Sequence, residues 1–270
     1  MSMRGYQSRH KGRSAESRRQ ILSLYILLAL TIATEIAYPL IKGESLRILT
    51  VVTVYLGATT MALHALFSFG ARYFFTLIPV TLLFGWGIEE LGIHTGWPFG
   101  HYRYDPTLGF AIAGIPLVVP FAWLMLSHPI LLASRKMTPQ WVFLLGGYGL
   151  MAWDLFLDPQ MVRDGRWHWK MSGPHIPLES QIPLSNAVGW LLSGIILMGL
   201  LHWVLPKERK RSGVGSRTCD IFLTWTFLSG IIGNLFFFHM PGVALIGGLV
   251  YFVFLAPYLF KVQFGRPDFL

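Results

Sequence analysis

The chain has 270 residues, of which 53% are hydrophobic and only 13% charged, and its formal net charge is +9. Soluble globular domains carry about 25% charged residues, so this composition excludes an ordinary water-soluble domain and makes the bilayer the solvent. The basic residues sit in short segments beside apolar runs, where they orient spans and meet anionic lipid, and no soluble domain remains to bind nucleic acid.

Residues 1–19 are basic and polar (Arg4, Arg9, Lys11, Arg13, Arg18, Arg19) and read as a disordered cytoplasmic tail. The apolar stretch that follows exceeds the core of a secretory signal, about 7 to 15 residues, and no small-residue cleavage site ends it. It is therefore the first of eight predicted spans: 20–41, 46–68, 72–92, 112–134, 139–158, 185–205, 218–238 and 242–262. The fold class that follows is all-α: a polytopic transmembrane helix bundle forming one integral membrane domain over 20–264, with a short C-terminal tail at 265–270. His239-Met240-Pro241-Gly242 joins the last two spans as a tight turn. With the N-terminus cytoplasmic, sixteen Lys and Arg fall inside and six outside. The positive-inside rule then puts both termini in the cytoplasm, in a multi-pass protein of the cell membrane. Two outer segments, 93–111 and 159–184, are rich in aromatics, Gly and Pro and are expected to fold back over the bundle as a lid.

A charged group at the centre of a span costs about 2.5–3.5 kcal/mol, so each one calls for a reason. The candidates are Glu35, Glu89, Glu90, Asp154 and Asp158. At about 1.5 Å rise per residue, Glu35 lies about 9 Å, Glu89 about 5 Å and Asp154 about 6 Å inside the outer end of its span. Asn186 and Asn234 fall in the same layer. Asp154 and Asp158 are four apart and share one helix face. Two carboxyl groups in a low-dielectric site do not ionise equally, which leaves an acid beside a base, as general acid chemistry requires. The competing reading makes Asp158-Pro159 a cap on the span and Asp154 an ion-pair partner of Arg163 or Arg166. Glu89 and Glu90 are adjacent, about 100° apart on a helix, so one faces the pocket and the other the loop. Glu35 serves either the site or a buried hydrogen bond. The nine histidines form no helical pairs three or four apart, and the chain lacks HExxH and a Gly-rich phosphate loop, so no metal and no cofactor is expected. Cys219, the single cysteine, reads as a small buried apolar residue. Trp86, Trp97, Phe99, Tyr102, Tyr104, Trp153, Trp167, Trp169 and Trp190 surround the acidic positions. They read as interface anchors and packing, or as a pocket whose ring faces stabilise a cation.

These residues carry a family resemblance. Glu89-Glu90-Leu91-Gly92, Thr95-Gly96-Trp97-Pro98-Phe99-Gly100-His101-Tyr102, Gly114-Ile115-Pro116 with Pro120 and Trp123, Ala152-Trp153-Asp154-Leu155-Phe156-Leu157-Asp158-Pro159, Gly165-Arg166-Trp167-His168-Trp169 and Pro183-Leu184-Ser185-Asn186 with Gly189-Trp190 follow in order over about 85–195. In these blocks the chain resembles the membrane-bound CruF-type carotenoid hydratases, a family that includes bisanhydrobacterioruberin hydratase. The stretch 172–181 departs from the pattern in being longer and richer in proline. The resemblance implies addition of water across the terminal C1–C2 double bond of an acyclic carotenoid, giving a tertiary alcohol without a redox cofactor. Asp154 would then be the acid, Asp158 or Glu89 would orient water or balance charge, and Asn186 would hold the water. The partners expected are an acyclic polyene, water and membrane lipid. Rival readings are another isoprenoid enzyme with cationic chemistry, a proton-coupled lipid transporter, and a non-catalytic subunit of a carotenoid-modifying complex.

Overall fold

Eight long helices carry the fold in a computed structural model that describes residues 3–171, 173–208 and 213–264. They are α1 (Met3–Ala37), α2 (Gly43–Phe69), α3 (Ala71–Thr95), α4 (Val118–Met137), α5 (Val142–Arg163), α6 (Leu184–Val204), α7 (Arg217–Ile232) and α8 (Pro241–Phe264). Seven of them are long and apolar enough to cross a membrane, so the chain is a multi-pass, all-α membrane protein. At 22 residues α5 has the length to span, about 33 Å, but its acids and glycines leave it less apolar than the rest. α1 begins at Met3, inside the segment expected to be a tail, and its spanning part is Glu16–Leu40. The expected C-terminal tail at 265–270 lies outside the described residues.

Contacts at the helix ends fix the alternation. Tyr38, in a 3₁₀ turn after α1, donates to Asp164 Oδ2 after α5 at 2.6 Å. The Arg163 guanidinium stands 4.6 Å from the centre of the Phe238 ring beyond α7, and Tyr38 meets that same ring edge-on at 6.0 Å. After α3, strand β1 (Tyr102–Tyr104) pairs antiparallel with β4 (Trp167–Trp169), which follows α5. The C-terminal ends of α1, α3, α5 and α7 therefore share one face, and α2, α4, α6 and α8 return from it. α5 thus crosses the bundle like its neighbours.

Two predicted boundaries move. The fourth span does not start at 112, because β2 (Ala111–Ile112) folds back on β3 (Ile115–Pro116). The turn between them needs positive φ at two consecutive residues, Ala113 (52°) and Gly114 (83°), a shape the glycine makes accessible. The fifth span does not stop at 158, because α5 continues through Pro159 to Arg163. A proline lacks one amide donor, and a helix held on several sides by its neighbours tolerates that loss. A third hairpin, β5 (His175–Ile176) with β6 (Glu179–Pro183), turns at Leu178 and leads into α6.

Membrane helices pack through small residues because lipid offers no hydrophobic drive to bring them together. The tightest approach joins α5 to α6, where a Cβ on Gly194 would stand 2.9 Å from Gly147 Cα. Large apolar side chains such as Phe75 (71% exposed), Leu83 and Trp203 (84%) face outward, as lipid-facing surface requires. Replacing Gly194 with Val should force α5 from α6 and cost about 1–3 kcal/mol, the usual penalty of overpacking. Thermal melting in detergent should fall accordingly, while Gly87→Ala, whose Cβ meets nothing within 4 Å, should leave it unchanged.

Candidate functional site

Alternation along the two paired strands builds the lid of a cavity. In Tyr102-Arg103-Tyr104 and Trp167-His168-Trp169 every second side chain turns to the same side, so the aromatics face the bundle and Arg103 and His168 face out. The ladder sets Tyr102 opposite Trp169 and Tyr104 opposite Trp167. Beneath this aromatic sheet lies a cavity of about 670 Å³. Below the lid its walls come from the outer part of α2, the end of α3, the start of α4, the outer half of α5 and the first turns of α6.

Glu89, on α3, takes three donors. Tyr102 and the Tyr104 hydroxyl (2.6 Å) both donate to its Oε2, and Trp123 Nε1 donates to Oε1 at 3.1 Å. Burial first, and then the charge of Glu89, push both phenols well above their usual pKa, so they stay protonated donors. A carboxyl group so surrounded is an acceptor in this site rather than a proton source.

Asp158 and Asp154 lie one helical turn apart on α5, and Asn186 ties them together. Its Nδ2 donates to Asp154 Oδ2 at 3.0 Å and also to Asp158 Oδ2. The two carboxyl groups are close enough to share a proton. At this site two buried polar atoms meet no well-aligned hydrogen-bond partner among the described residues: Asp154 Oδ1 and, in the cavity wall, Trp167 Nε1. Aromatic faces complete the wall. Trp123 and Trp190 stack at 4.1 Å with 10° between planes, and Trp153 meets Trp190 edge-on at 5.7 Å.

Of the residues predicted from the sequence, Glu89, Asp158, Asn186, Phe99, Tyr102, Trp153, Trp167, Trp169 and Trp190 line this cavity. Asp154 is 1% exposed and stands behind Asp158 and Asn186 rather than in the wall. Glu90 turns away and pairs with His94 at 3.0 Å. Trp97 is 55% exposed and outside the site. Asn234 bonds the Gly230 carbonyl of its own helix at 2.8 Å and lines no described cavity. Glu35 belongs to a second cavity of about 1250 Å³, where it accepts from Trp225 Nε1 at 2.6 Å. The two cavities share Thr50, Val54, Trp153, Leu157 and Met161. Among the described residues, neither Arg163 nor Arg166 forms an ion pair with Asp154; Arg163 stands 3.7 Å from Asp164.

Sequence reasoning set Tyr104 only among the aromatics around the acids and Trp123 only in the family resemblance, and gave neither a role of its own in the site. Tyr104 was signalled by its period-2 spacing from Tyr102. Trp123 had no local signal, since its partners Glu89 and Trp190 lie on other helices.

A family model described as carotenoid biosynthesis protein matches residues 49–256. Bisanhydrobacterioruberin hydratase of Haloarcula japonica is 32% identical over 154 residues, which is 54% of this chain. The match spans 50% of that relative, so the chain covers about half its length. No solved structure matches the chain.

Removing a hydrogen bond to a buried carboxylate costs about 1.5–3 kcal/mol. Tyr104→Phe should lower thermal stability by that order. In the Tyr102→Phe/Tyr104→Phe double variant, the tyrosinate absorbance gained on titration to about pH 10, the ordinary phenol range, should fall by less than two exposed tyrosines would contribute, because burial and Glu89 hold both phenols above that range.

Proposed function

The chain belongs to the carotenoid biosynthesis protein family, and on that premise we propose that it hydrates the terminal C1–C2 double bond of an acyclic carotenoid. The observation that carries the reading is an acid pair bridged by one amide, set in the wall of an apolar, aromatic-lined cavity. The relative named above as a hydratase supports the same reaction.

The chemistry runs through a tertiary cation. A protonated carboxyl of the pair gives its proton to C2, and the positive charge forms at C1. Asp158 is the better donor, because it lines the cavity while Asp154 stands behind it. Asp154 then serves as the partner that holds and returns the proton, a shift from the role the sequence suggested for it. The stacked Trp123–Trp190 pair and the Glu89 carboxyl offer the cation ring faces and negative charge. Water, held by Asn186 and by Trp167 Nε1 beside Asp158, adds to C1, and its extra proton returns to the acid pair. Net change is one water added and no electron moved, so the reaction needs no redox cofactor.

The remaining polyene lies along apolar walls and enters from lipid, with the second cavity as the space that continues the first. The excess of Lys and Arg on the face opposite the site favours both termini in the cytoplasm, in the cell membrane, with one integral domain over 20–264.

Expression in a host that accumulates lycopene or a longer acyclic carotenoid, followed by mass analysis of the pigments, tests this. A product heavier by one water is expected from the wild type. Asp158→Asn should reduce conversion by about 10²-fold or more, the scale of lost general acid catalysis, with Asp154→Asn less severe. Unchanged pigments from well-inserted wild-type protein would overturn hydration of these carotenoids, and full activity in Asp158→Asn would remove it as the donor.

A further inference from the structure

Far from the acid pair, near the opposite face of the bundle, three helices bring soft donors together. His64 on α2, His128 on α4 and Cys219 on α7 place their ligand atoms within 4.8 Å of one another, and all three are fully buried. His64 Nδ1 lies 2.9 Å from His128 Nε2 and 3.5 Å from Cys219 Sγ. A fourth donor is adjacent: Met61, one helical turn before His64, puts its Sδ 3.9 Å from Cys219 Sγ and is also fully buried.

We propose that His64, His128, Cys219 and Met61 bind one soft d10 metal ion, copper(I) or zinc(II). Metal–nitrogen bonds of about 2.0–2.1 Å and metal–sulfur bonds of about 2.3 Å give a tetrahedron whose N–S edge is about 3.6 Å and N–N edge about 3.3 Å. The His64–Cys219 separation already fits, and the two imidazoles need open by only a few tenths of an ångström. Thiolate and thioether with imidazole is the donor set that selects copper(I) or zinc over hard cations. Thioether ligation favours copper(I) of the two.

The outer shell fits as well. A metal-bound histidine holds its other ring nitrogen on a carbonyl, carboxylate or similar partner. Here His64 Nε2 lies 2.9 Å from the Gly215 carbonyl, and His128 Nδ1 lies 3.1 Å from the Tyr73 hydroxyl. With those outer nitrogens protonated, both inner nitrogens turn lone pairs toward the same point, where a cation belongs. The rival arrangement is a proton-bearing chain in which Tyr73 donates to His128, His128 to His64, and His64 to Gly215. It satisfies the rings and leaves the Cys219 thiol beside His64 Nδ1 and Met61 Sδ, whereas an ion would use all four atoms as ligands. The ion would tie α2, α4 and α7 at the end of the bundle away from the proposed chemistry.

The test uses full-length protein purified in detergent, incubated with one equivalent of zinc(II) or of copper(I) kept reduced, then desalted and assayed for metal. Wild type should retain about one ion per chain of at least one of the two metals and melt at a higher temperature with it. Cys219→Ser and His128→Gln should bind at least tenfold more weakly in competition with a chromogenic chelator. Folded wild type that retains neither ion and gains no thermal stability overturns the proposal, whatever the variants do. Equal retention by wild type and Cys219→Ser also overturns it. Neither readout depends on carotenoid conversion, so failure of the hydratase reading leaves this test intact.

Discussion

A pair of carboxyl groups in the apolar interior of a bundle must be satisfied by the protein itself, and here one amide does so for both. Asn186 is the third residue of α6, so it reaches Asp154 and Asp158 only if the start of α6 lies against the outer half of α5. That closeness rests on glycines: Gly147 and Gly194 let the two backbones touch further down. The same placement sets the positive end of the α6 dipole beside the acids, which favours negative charge there. Polar satisfaction, helix packing and local field therefore depend on one another, and a larger residue in the α5–α6 seam would disturb all three.

Glu89 is met by a different solution. Its donors come from one strand, β1, and a neighbouring helix, and that strand is held by a short antiparallel ladder with β4 rather than by a long helix. Three residues per strand suffice because the aromatic side chains on the inner face pack on each other. Tyr102 lies 5.6 Å from Trp169, and Tyr104 meets Trp167 edge-on at 5.6 Å. Trp169 Nε1 also donates to the Phe99 carbonyl at 3.1 Å, which fastens the ladder to the preceding turn. The lid is thus both a cover that excludes water and the source of the donors on Glu89, two roles that a mobile loop would not combine.

What the sequence made legible followed from period and cost. Apolar runs long enough to cross a bilayer gave the helices, and the expense of burying charge singled out the acids in one outer layer. What it hid needed partners far away in the chain. Nothing near Glu35 told that Trp225, 190 residues on, would draw it into a separate cavity. Asp158-Pro159 looked like a helix stop, because a proline's missing donor is visible in sequence while the packing that carries a helix past it is not. His64 and His128 are 64 residues apart and met no spacing rule, yet their ring nitrogens lie 2.9 Å apart. The Tyr102/Tyr104 and Trp167/Trp169 alternation was present all along, but inside segments read as loops a period of two is easily taken for mere aromatic richness.

The two cavities meet along a single helix. Trp153, Leu157 and Met161 line both, and they recur every four residues, so they form one stripe on α5. Asp154 and Asp158 form the adjoining stripe, one residue on and about 100° around the helix axis. The same helix therefore carries an apolar rail shared by the two chambers and, beside it, the acid pair at the smaller chamber. On the proposed function, the aromatic-walled smaller chamber would take the end of a polyene and the neighbouring space would take part of its shaft. A conjugated chain is stiff, so fixing its shaft along such a rail would also fix how far its terminal double bond projects toward the acids. Selectivity for a chain end would then come from the apolar stripe, and reactivity from the polar one. The helix that unites them is less apolar than the other seven because it carries the acids.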